Sequence, residues 1–211
     1  MSEDQLFSAI RDGDDAAVHA AVGSRPDLLA AEHDGISVVR AACYAGHPVL
    51  AQWLRDAGAP ASSFDLAALG EVEELRSLLD DAPDLVNAFA GDGFTALHLA
   101  AWFGHTKTAE ALLAKGADPE AEATNGTGLR PLHSAAAGGH TVIAHLLLDR
   151  GADVDATQEG GVTALHSAAH RNDAEMVALL LGRGAHPAAA TSDGRTARDL
   201  ATDPDLLALL P

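Results

Sequence analysis

Histidine is the side chain readiest for metal ligation or proton transfer near neutral pH, and this sequence of 211 residues carries eleven of them beside 31 Asp and Glu. What they could do depends on their spacing. Only His166 and His170 stand at helical spacing, in the segment His166-Ser167-Ala168-Ala169-His170. Ser167 stands where a zinc-hydrolase helix carries its Glu base, so the pair lacks that chemistry. The single thiol, Cys43, lies in Ala41-Ala42-Cys43-Tyr44, which predicts a small buried hydrophobe instead of an activated nucleophile. Asn125-Gly126-Thr127-Gly128 resembles a phosphate-cradling loop only in its glycines, because the Lys-Ser or Lys-Thr that should follow is missing. It reads as an extended turn. No Gly-x-Ser-x-Gly elbow or paired-carboxylate signature is present. The residues predict no catalytic group, no metal and no cofactor.

Composition narrows the partners. The formal charge of −18 repels phosphate backbones, which excludes nucleic acid as a first expectation. One cysteine cannot build an intramolecular disulfide framework, so a reducing, cytoplasmic setting fits. No stretch approaches the roughly eighteen apolar residues of a membrane span, and Met1-Ser2-Glu3-Asp4-Gln5 does not open a signal peptide. With 47% of the residues apolar a real core is expected, but there are only five Phe, two Trp and one Tyr. Small and aliphatic side chains must carry the packing, which favours helices that approach closely.

The elements that position these residues repeat. Thr95-Ala96-Leu97-His98 recurs as Arg130-Pro131-Leu132-His133 and as Thr163-Ala164-Leu165-His166, with Thr196-Ala197-Arg198-Asp199 as a degenerate copy. Each full copy is followed by Ala-Ala, then a Gly or Asn, a Leu-rich stretch, and the pairs Gly116-Ala117, Gly151-Ala152 and Gly184-Ala185. This frame resembles the ankyrin repeat, with its period of about 33 residues and Thr-Pro-Leu-His-x-Ala signature. The resemblance is strong from Ala90 to Thr196 and implies an all-α helical-repeat solenoid with short β-hairpin loops.

Local physics agrees. In Thr95-x-x-His98 the hydroxyl can accept from an orphan first-turn N–H while the imidazole reaches back, as in a capping box. Gly104 can take the left-handed conformation that closes the first helix, and His105 opens the second. His98, His133 and His166 at helix starts, with His47, His105 and His140 after the closing residue, therefore have structural roles. Each helix pair cannot bury its own apolar face, so stacking supplies the core.

The closing residues Gly13, Gly46, Gly70, Gly104, Gly139 and Asn172 give intervals of 33, 24, 34, 35 and 33. Six helix pairs and a C-terminal half repeat follow. The short interval predicts that a hairpin finger is missing at residues 58–63, where the chain also matches itself at an offset of 57, as Phe7 with Phe64 and Gly13 with Gly70. The expected organisation is a divergent N-terminal pair of repeats over 1–60, four repeats over 61–192 and a capping half repeat over 193–211, stacked as one monomeric solenoid. Trp53, level with Leu146, is expected in the core.

Positions that the frame leaves free are the candidates for binding. The resemblance implies docking on the concave surface of inner helices and hairpin tips. Tyr44, Trp102, Phe103, His170 and Arg171 come just before closing residues, and Phe94 and Leu129 just before helix starts. Four of the eight aromatics, Phe89, Phe94, Trp102 and Phe103, fall within fifteen residues, a cluster typical of an interface. From Asp65 to Asp92 eight acids face only Arg76, and Glu120, Glu122, Asp155 and Glu159 stand near later fingers. These features predict an adaptor that binds a protein partner, in particular a basic one. The alternative is a dedicated inhibitor of the immunity or antitoxin kind that masks a basic toxin.

Overall fold

The computed structural model describes residues 1–210; Pro211, the last residue of the predicted cap, lies outside them. Fourteen α-helices are found among the described residues: α1 Glu3–Asp12, α2 Asp15–Ser24, α3 Val38–Tyr44, α4 Pro48–Asp56, α5 Ser63–Leu69, α6 Val72–Asp81, α7 Ala96–Phe103, α8 Thr106–Ala114, α9 Pro131–Gly138, α10 Thr141–Asp149, α11 Ala164–His170, α12 Ala174–Gly182, α13 Ala197–Leu200 and α14 Pro204–Leu207. Each odd-numbered helix packs against the next, from α1 through to α13. The fold is an all-α helical repeat, and no helix among the described residues is long and apolar enough to cross a membrane.

Alanines set the inner spacing. Ala100, Ala135 and Ala168 are fully buried, beside Leu97, Leu132 and Leu165. Aliphatic side chains of the outer helices, such as Leu112 and Leu147, close the core from the other side. None of the eight aromatics is buried to that degree. Trp53 corrects the expectation of a core position: it is half-buried, with its ring 3.9 Å from that of His19. At the crowded closing residue Gly104 φ is +80°, and a Cβ would collide with the His140 ring.

The histidines cap their own helices and also bind the next repeat. His98 Nδ1 accepts from Thr95 N–H at 3.2 Å, which leaves Nε2–H to donate to the Leu129 carbonyl at 3.1 Å. His133 and His166 bind the carbonyls of Ala156 and Arg195 in the same way. His105 and His140 bind Ala68 and Trp102 of the preceding inner helices, at 2.9 and 3.0 Å. Burial lowers the pKa of His98 to about 4 and also lowers those of His105 and His133. The unfolded chain therefore takes up protons near pH 6.5 that the folded chain refuses. Stability should be full above pH 6.5 and fall from there toward pH 4, with His98 alone responsible for on the order of 3 kcal/mol. Urea melts between pH 7.5 and 4.5 test this, and His98→Asn should flatten the profile. An equally steep profile in that variant would contradict the role given to His98.

Hairpins join the pairs. Strands β1 Glu32–His33 and β2 Ile36–Ser37 turn through Asp34-Gly35, both at positive φ, as a two-residue hairpin requires. Bridges Phe89–Thr95, Gln158–Val162 and Ala190–Thr196 mark three later fingers, and Ala123 N–H donates to Leu129 O in a fourth. Between α4 and α5 no strand pairing is found among the described residues. The neighbouring hairpins close that gap, and a Cβ on Gly35 would lie 2.6 Å from Gly91 Cα.

Candidate functional site

The missing finger also removes the carbonyl to which a capping histidine would bind. At that place in the repeat stand Arg40, third after Ser37, and Asp65, third after Ser62. Both side chains are 3% exposed, and they lie 3.9 Å apart. Ser37 Oγ donates to Asp65 at 2.5 Å, and Ser62 donates to it through its N–H at 2.8 Å and its hydroxyl at 2.5 Å. Arg40 donates to the Gly35 carbonyl and reaches Asp92 at 3.6 Å. Asp92 accepts from the Tyr44 hydroxyl at 2.8 Å. A buried cation thus ties the first finger, α5 and the finger before α7 together. It also fixes an aromatic side chain at the end of α3.

Tyr44 forms one wall of an apolar cavity of about 280 Å3 on the inner face. Phe94, Leu99 and Trp102 line it from α7 and its approach, the His98 edge lies at its base, and Leu129 and Ser134 close it from the next repeat. Trp102 is 47% exposed and Tyr44 38%. Phe94 is half-buried, tilted against His98. Phe103 is also half-buried, 5.8 Å from the Tyr44 ring, and with Leu69 and Cys43 lines a separate depression toward α4 and α5. Burial, then the nearby Asp65, pushes the Cys43 thiol up to about 12, so it stays protonated and inert at neutral pH.

Tyr44 is the only tyrosine, so its ionisation can be followed by itself. Burial and the Asp92 carboxylate push its phenol far above the usual value near 10. An ultraviolet titration should show no phenolate at pH 10.5 in the folded chain, and Asp92→Asn should bring the transition down. An ordinary transition near pH 10 would mean that Tyr44 swings free of Asp92.

Four expected partner-binding residues, Tyr44, Phe94, Trp102 and Leu129, therefore share one cavity. The others lie elsewhere. His170 is exposed at the end of α11, two inner helices away from α7. Arg171 is not a free side chain: it donates to the Ala137 carbonyl at 3.0 Å, the bond that His105 and His140 make in other repeats, because Asp173 replaces the histidine there. Glu120 and Asp155 are brackets between repeats. Glu120 accepts from Asp153 N–H at 2.9 Å and Asp155 from His186 N–H at 2.8 Å, as Asn87 accepts from Asp118 N–H at 2.8 Å. Glu122 is exposed, 3.4 Å from Arg130, and Glu159 is exposed at a finger tip. Asp65, counted with the acidic surface, is in fact buried. Sequence reasoning missed the group Arg40–Asp65–Asp92. Its signal was present in the Ser-x-x-Arg and Ser-x-x-Asp segments that replace the usual capping histidine on either side of the short interval.

Among the described residues no group of three or more His, Cys, Asp or Glu is gathered as a metal site. The arrangement offers apolar contact and hydrogen-bond acceptors, not an activated nucleophile.

Family models for ankyrin repeats match nearly the whole chain. A three-copy model covers residues 6–123, and two models described as many copies cover 103–148 and 147–201. No curated protein matches the chain. The capping histidines, closing glycines and stacked helix pairs agree with these matches, and the chain belongs to the ankyrin repeat family.

Proposed function

We propose that this chain is a non-catalytic cytoplasmic adaptor, a monomer that binds a protein partner through its concave face. Ankyrin repeats are generally protein–protein interaction modules. The observation that carries the reading for this chain is the half-exposed Trp102, set beside Tyr44 over an apolar cavity. Large amphipathic rings around a dry depression are the usual anchors of a protein interface. Capture with tagged chain and with Trp102→Ala, followed by mass spectrometry, tests it: the partner should be recovered with the first and lost with the second. Equal recovery would refute the concave-face reading.

A second reading, the inhibitor of a basic protein, is favoured by the charge of the fingers. Glu32, Asp34 and Glu159 are exposed there, whereas Arg130 is paired with Glu122 and Arg195 with Asp193. Exposed acids act mainly on encounter, within the roughly 8 Å that physiological salt leaves unscreened. Association should therefore slow steeply with ionic strength. Reversal of Glu32 and Glu159 to Lys should slow it further while changing dissociation little. Glu120 and Asp155 are left out because reversing them would break brackets between repeats. An on-rate indifferent to salt would count against a basic partner.

A further inference from the structure

The cavity lined by Trp102 has a twin. On the other side of Tyr44 lies a second apolar depression of about 270 Å3, lined by Phe7, Ile36, Ala41 and Ala45, with Arg11 and His33 at its rim. Tyr44 lines both, so its ring is the ridge between them. Such a ridge directs a partner only if it stands still. Its hydroxyl is held by Asp92, and Asp92 by the buried guanidinium of Arg40. Tyr44 and Asp92 are 48 residues apart, and they meet because the absent finger lets the hairpin at Gly35 press on the one at Gly91. The interval that is nine residues short of the usual repeat is thus what sets the shape of the groove.

We infer that the groove takes a protein segment that places two bulky apolar side chains, one on each side of Tyr44, among flanking Lys or Arg residues, and that Arg40 positions the ridge through Asp92. The inference rests on the concave-face reading and adds the chemistry of the partner. Each cavity is large enough for one Leu or Phe side chain. Two anchors separated by an aromatic ring need about 7 Å between them, so they stand at least two residues apart in an extended chain. The flanking charge follows from the groove's surroundings. No charged side chain lines the first cavity, Asp4 and Asp34 stand 3.8 and 3.7 Å from His33 at the rim of the second, which Arg11 also lines, and the chain carries −18 overall.

Selection from a random twelve-residue display library on the full chain tests this. Selected peptides should carry two apolar positions at least two apart among basic residues. Trp102→Ala should erase the preference at one position and weaken binding about thirtyfold. Ala45→Leu fills the second cavity without removing a native contact and should erase the other preference. Tyr44→Phe removes only the hydroxyl that Asp92 holds. It should weaken both anchors several-fold with an unchanged unfolding midpoint, which a merely structural role would not do. One apolar position, acidic flanks, no enrichment, or binding indifferent to both Ala45→Leu and Tyr44→Phe would each overturn the inference. If Trp102→Ala abolishes capture of the natural partner while Ala45→Leu does not, the concave-face reading survives and only the two-anchor inference fails.

Discussion

Arg40→Met should destabilise the chain by about 3 to 5 kcal/mol, the usual cost of stranding a buried charge. Arg40 and Asp65 are each 3% exposed, and Asp65 is held by Ser37 and Ser62, so it cannot turn outward to water once the guanidinium is gone. The second consequence is non-additivity. Asp65→Asn keeps an acceptor for the Ser62 N–H but removes the charge, so the double variant Arg40→Met/Asp65→Asn should recover more than half of the loss. Urea melts of the two single variants and the double give the coupling directly. Additive effects would mean that the two charges do not sense each other, and that the gap left by the missing finger is held by packing alone.

Trp102→Ala should act on binding and leave folding almost untouched. At 47% exposure the ring loses little burial when truncated, whereas Leu97→Ala, at 1% exposure in the same helix, should cost about 2 to 5 kcal/mol of stability. Removing an interface anchor costs about 2 kcal/mol or more of affinity, roughly thirtyfold in Kd, mainly through faster dissociation. Melts and surface binding measurements on both variants separate the outcomes. A Trp102→Ala variant that loses several kcal/mol of stability would be a core variant, and its binding defect would say nothing about the groove.

Periodicity made the repeats legible because each unit uses the same few devices. Thr95 and His98 cap, Ala100 lets helices approach and Gly104 closes, so spacing together with the ankyrin resemblance led to helix pairs, closing residues and the missing finger. Trp53 misled because Leu146, the residue level with it, is itself only half-buried and packs against the edge of the core. The site was legible in part for a similar reason. Tyr44, Phe94, Trp102 and Leu129 stand at positions the frame leaves free, and the packing of successive inner helices brings them together. Glu120, Asp155 and Arg171 occupy comparable positions, yet they bind backbone one repeat away, and the sequence holds no sign of where that backbone lies. Arg40 and Asp65 were the hardest to read, because their meaning depends on a hairpin that is absent.

The central claim is that the partner covers Trp102. With the chain's two tryptophans replaced by 5-fluorotryptophan, each gives one 19F signal, and Trp53→Phe assigns them. At saturating partner the Trp102 signal should shift and lose its sensitivity to the H2O/D2O ratio, while that of Trp53, stacked on His19 away from the groove, stays in place. A Trp102 signal that keeps its position and solvent sensitivity in the saturated complex would contradict the account.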